Sequence, residues 1–111
     1  MANNIAFSPM GNTSVLICGT SANNVAVTAY SPVNQFMCVN TGTVPVFLVA
    51  GTTAPTAVIP TPSTPNNAWC LGAGSTKVVT YNQAAANTTV YFGGITSTSS
   101  ANVYITGGEG L

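Results

Sequence analysis

"QFMCVNTGTVPVFLVAG", residues 35–51, decides the fold class. Two apolar runs flank the short break Asn40-Thr41-Gly42-Thr43. Neither run shows the i, i+3, i+4, i+7 spacing of an amphipathic helix. Val and Phe suit a pleated, half-buried surface. Gly42 can supply the positive φ that a short hairpin loop needs, so the stretch reads as a β-hairpin. Both runs are apolar on both faces, which predicts a central hairpin covered on each side. Pro45 has no N–H to offer a ladder and belongs among the first residues of its strand or at an edge.

The same vocabulary extends outward. Strands are expected over residues 13–18, 24–29, 35–40, 44–50, 57–59, 68–71, 76–81, 88–93 and 102–106, divided by Gly, Asn, Ser and Pro clusters. That spacing is typical of an all-β sandwich or barrel. Alternation is clearest in "ANVYIT", which puts Ala101, Val103 and Ile105 on one face and Asn102, Tyr104 and Thr106 on the other. "NQAAAN" (82–87) is too short for a stable helix and reads as a loop or single turn. At 111 residues and 46% hydrophobic, the chain is one domain with enough apolar surface to fold. The expected architecture is an antiparallel β-sandwich over residues 12–106, with an N-terminal arm (1–11) and a C-terminal tail (107–111). Within it, residues 52–67 form a proline-rich loop, since four of the seven prolines fall between Pro55 and Pro65.

Charge narrows the function classes. The chain has one basic side chain, Lys77, one acidic side chain, Glu109, and no His. Acid–base catalysis needs a tuned titrating group beside a partner. Paired carboxylates cannot be assembled, and neither can a nucleophile–His constellation. Ser75 and Lys77 share a strand face, yet nothing near them suggests an oxyanion site. The expectation is a protein that is not an enzyme, with no catalytic residue, metal or cofactor. Cys18, Cys38 and Cys70 lack metal-ligand spacing and sit beside apolar residues, as small buried hydrophobes do. One Lys makes no basic face, so no nucleic-acid partner is expected. No stretch approaches the roughly twenty apolar residues of a membrane span. The opening residues lack the pattern of a signal peptide, which leaves the Asn12 and Asn87 sequons without a glycosylation context.

Three pieces carry a resemblance: "CVNTGTVPVFLVAG" (38–51), "AVIPTP" (57–62) and "VYITGGEGL" (103–111). In this order they resemble small head decoration proteins (capsid staple or cement proteins) of tailed bacteriophages. The length is similar to those of epsilon-type Salmonella podophages. The resemblance implies a jelly-roll-like sandwich, homodimers, and a position across capsomer boundaries on the outer capsid surface. The partners it implies are the major capsid protein and a second copy of the chain. The protein is then made in the host cytoplasm and located in the virion. No catalytic motif accompanies the resemblance.

Near-zero net charge agrees with such a role, because little repulsion keeps copies apart. The expected contact residues are Ile5, Phe7 and Met10 of the arm and Pro60, Pro62 and Trp69 at the proline-rich loop. The arm holds more apolar surface than a solvated tail needs, and Trp concentrates interface energy. Two other classes stand beside this one. A glycan-binding jelly-roll module would use Trp69, Tyr30, Tyr81, Tyr91 and Tyr104 as stacking platforms. A tail or fibre component would share the same composition.

Overall fold

A computed structural model describes residues 8–28, 34–80 and 89–109, and among them there is no helix. The strands are β1 (Ser8–Cys18), β2 (Asn23–Thr28), β3 (Gln35–Asn40), β4 (Val46–Gly51), β5 (Trp69–Leu71), β6 (Thr76–Thr80), β7 (Thr89–Ile95) and β8 (Ala101–Glu109). They form two four-stranded sheets, β1-β8-β3-β6 (sheet 1) and β2-β7-β4-β5 (sheet 2). Every ladder is antiparallel. Only β4 and β5 are consecutive strands within one sheet; every other connection crosses from one sheet to the other. The protein is an all-β sandwich, and this strand order is compatible with a jelly roll.

The alternation expected in "ANVYIT" is present over residues 101–105: Ala101, Val103 and Ile105 are buried, while Asn102 and Tyr104 are exposed; Thr106, expected on the outward face, is buried as well. The inward side chains of both sheets form one core that includes Leu16, Cys18, Phe36, Cys38, Leu48, Phe92, Val103 and Ile105. At its centre Phe36 of sheet 1 meets Phe92 of sheet 2 edge to face, with centroids 5.2 Å apart. That geometry aligns the positive ring edge with the negative face and adds about 0.5–1.5 kcal/mol beyond burial. The sheets approach closely at Gly94, where a Cβ would lie 2.6 Å from Cys18 Sγ and 3.0 Å from Leu16 Cδ2.

The hairpin expected at residues 35–51 is not formed. β3 lies in sheet 1 and β4 in sheet 2, so residues 41–45 arch across the end of the sandwich. Asn40 explains the arch. Its side chain is fully buried, and Nδ2 donates to Val44 O at 3.0 Å and to Leu71 O at 3.1 Å. Its Oδ1 accepts the Gly42 N–H at 2.9 Å. One amide thus folds the chain over and ties the end of β3 to β5 in the facing sheet. Gly42 has no positive φ; among the described glycines only Gly74 does. What Gly42 provides is room, because a Cβ there would lie 2.9 Å from Ala101 Cα. Each strand is nonetheless internal to its own sheet; outside β4 the segment around Pro55 lies against Val49, while Met37 and Val39 on the outer face of β3 are half-buried. Pro45 immediately precedes β4, where its missing N–H does no harm.

The termini differ from expectation as well. Ser8 pairs with Glu109 and Pro9 with Gly108, so each end extends the other's ladder. Residues 8–11 of the expected arm and 107–109 of the expected tail are therefore strand, with an irregularity in register between Pro9 and Thr13. No strand forms at 57–59. There the proline-rich segment lies against the outer side of sheet 2, with Ala57 buried. Gly93 makes that docking possible, since a Cβ on it would reach within 2.8 Å of Pro55 O.

Candidate functional site: the outer face of sheet 1

The two outer faces of the sandwich are treated differently. On sheet 2 the segment around Pro55 and Ala57 covers Gly93 and Val49, which is only 6% exposed. On sheet 1 the outer face is open at residues 15–17 of β1 and at Tyr104 of β8, where Val15 (41%), Ile17 (58%) and Tyr104 (40%) are exposed, while Thr106 further along β8 is buried. Strand register sets these side chains in rows. Val15, Tyr104, Val39 and Thr76 stand side by side across β1, β8, β3 and β6. Beside them run Thr13, Thr106, Met37 and Val78. Thr13 and Thr106 share a hydroxyl hydrogen bond of 2.7 Å. Val39, Met37 and Val78 are half-buried.

The face is neutral. Lys77 pairs with Cys38 and so belongs to the other side of β6, where it is exposed at the sheet edge. Fully burying a Val, Ile or similar side chain stabilises by about 1.5–3 kcal/mol. Val15, Ile17 and Tyr104 retain roughly half of that for a docking partner. The face can bind by apolar burial and hydroxyl hydrogen bonds.

β1 is also a sheet edge. Ile17 O accepts a hydrogen bond from Asn23 Nδ2 at 3.0 Å, so the backbone of the odd-numbered residues in this part of β1 points away from β8. The carbonyl has a second lone pair, and Val15 offers both backbone groups in the same direction. Sheet 1's other edge, β6, carries Lys77, and sheet 2's edge β5 is only three residues long, both of which discourage strand pairing; sheet 2's other edge, β2, is a six-residue strand without charge. A shallow open depression of about 390 Å³ lies beside Ile17, between residues 18–23 and Ser100.

The expected contact residues are scattered. Ile5 and Phe7 lie outside the described residues, and Met10 falls within β1. Pro60 is half-buried and Pro62 exposed, both in the loop between β4 and β5. Trp69 sits in β5, half-buried against the core of the sandwich. Among the aromatic residues, Tyr104 and Tyr91 belong to different sheets, while Tyr30 and Tyr81 lie outside the described residues. Val15, Ile17 and Tyr104 were not among the expected contacts. The signal for Val15 and Ile17 is the unbroken apolar run Val15-Leu16-Ile17-Cys18, which in a strand must place apolar residues on both faces, and that for Tyr104 is the alternation in "ANVYIT".

The cysteines separate into two kinds. Cys18 and Cys38 are buried, and desolvation pushes their thiols up to about 11 and about 12. Cys70 is exposed, contrary to expectation, because β5 turns Leu71 inward and Cys70 outward.

No protein-family model matches the chain, and a search of curated proteins found no significant match.

Proposed function

We propose that this chain is a structural virion protein that binds the outside of a bacteriophage capsid and staples neighbouring capsomers. The observation that carries this reading is the open, uncharged outer face of sheet 1, centred on Val15, Ile17 and Tyr104. The ordered resemblance of the three sequence pieces gives that face its partner, the major capsid protein. Exposed apolar faces of this kind mark interaction sites more often than they serve a free monomer. A lattice presents the same site many times, so each contact can be modest.

A second copy of the chain is the other proposed partner. Two β1 edges can pair antiparallel about a two-fold axis at Val15, joining their outer faces into one wider surface.

The test is co-purification with shells of the virus that encodes the chain. A fixed ratio to the major capsid protein is expected, with retention up to roughly 1 M NaCl, where the Debye length is about 3 Å. Absence from purified particles would overturn the reading. Presence only at the tail would reassign the protein to a tail or fibre.

A further inference from the structure

Joining two neighbouring subunits requires two separated contact surfaces, and the outer face of sheet 1 provides one. We propose that the second is the finger formed by residues 61–67. It would enter a neutral, hydrogen-bonding cleft on a protein subunit other than the one beneath sheet 1. This rests on the decoration reading above and specifies how one chain reaches two partners.

The finger grows from the opposite layer. The loop between β4 and β5 belongs to sheet 2, and Pro55 anchors it against Gly93 on that sheet's outer side. Ala57 is buried there, and Ile59 and Pro60 are half-buried. From Thr61 to Asn67 every residue is exposed. The segment is nevertheless ordered by its own bonds. Thr61 N–H donates to Thr64 O at 3.3 Å, and Thr64 N–H donates to Thr61 O at 3.1 Å. The two threonine hydroxyls also meet, and Asn66 Oδ1 accepts the Ala68 N–H at 2.8 Å.

This construction suits docking. Pro62 and Pro65 fix φ within the finger, and local hydrogen bonds hold its turn, so little freedom is lost on binding. Ser63, Asn67 and the backbone offer neutral donors and acceptors, and the finger has no charge. A charged cleft would leave its own charge desolvated and unpaired against such a loop, which selects a neutral one. The competing route to two surfaces is a two-fold pair of chains, each using only its sheet 1 face. That route predicts no dependence on the finger.

The experiment loads shells of the encoding virus, prepared without decoration protein, with full-length chains. Wild type is compared with Ser63→Glu and with residues 62–65 replaced by Gly-Ser-Gly-Ser. Circular dichroism and thermal unfolding verify the fold of each variant; the Ser63 side chain makes no hydrogen bond to the described residues. Decoration within about twofold of wild type is expected from both variants. The thermal rupture point of the shells should fall to that of bare shells. Wild-type protection by both folded variants overturns the finger's role. Complete loss of decoration by folded Ser63→Glu overturns the division between the two surfaces. Failure of wild type to load any shell refutes the decoration reading itself and takes this proposal with it.

Discussion

Replacing Asn40 by Ala removes the amide that turns β3 into the arch. The substitution strands three groups at once: the carbonyls of Val44 and Leu71 and the N–H of Gly42. The amide is completely buried, so water cannot take its place without opening the end of the sandwich. The Leu71 bond is buried and the Val44 and Gly42 bonds are part-buried; at about 1–1.5 kcal/mol for each bond lost, the total is roughly 3–4.5 kcal/mol. Domains of this length are stable by about 6–17 kcal/mol, so the loss is a large fraction of the whole. With an unfolding entropy near 2.1 cal/mol/K per residue, Tm should fall by about 13–20 °C. Thermal and urea unfolding of the full chain measure both quantities. Asn40→Asp gives no rescue, since a carboxylate can accept from Gly42 but meets two carbonyl oxygens where Nδ2 donated. A Tm drop below about 4 °C for Asn40→Ala would refute the claim that this side chain holds the arch.

Gly94→Val should destabilise by about 1–3 kcal/mol or more, because its Cβ would press on Cys18 Sγ and Leu16 Cδ2 across the sandwich; urea unfolding measures it. Gly93→Ala should instead lift the segment around Pro55 while the core stays intact, seen as faster proteolysis between β4 and β5 with little change in Tm. Stability should be lost as pH rises from about 9 to 11 and beyond. Buried Cys18 and Cys38 keep their protons up to about 11 and about 12, while the unfolded chain releases them near 9.0. Each thiol then contributes a decline of up to about 1.4 kcal/mol per pH unit, and Cys38→Ala should flatten part of the slope. Ile17→Glu should leave folding within about 0.5 kcal/mol of wild type, as an exposed position. The same variant should abolish retention on shells, scored by sedimentation.

What the sequence by itself determined was local. The strand segments were legible because side-chain alternation and turn residues act within a few positions of one another. β3 was expected at 35–40 and forms there, and most other strands lie within a residue or two of expectation. The shortage of charge was equally plain, and with it the neutrality of whatever surface the fold exposes.

Tertiary structure decided which strands pair and what each face meets. Asn40-Thr41-Gly42-Thr43 suits a hairpin locally. It becomes an arch because a buried amide finds Leu71 thirty-one residues away and Gly42 must clear Ala101. Residues 57–59 have strand-like composition, yet the room at Gly93 turns that segment into a cover for sheet 2. Val15 and Leu16 look alike in the sequence. One is exposed and the other buried because sheet 2 packs on only one side of β1. Exposure of an apolar side chain depends on what lies above it, and that is a property of distant residues brought together by the fold.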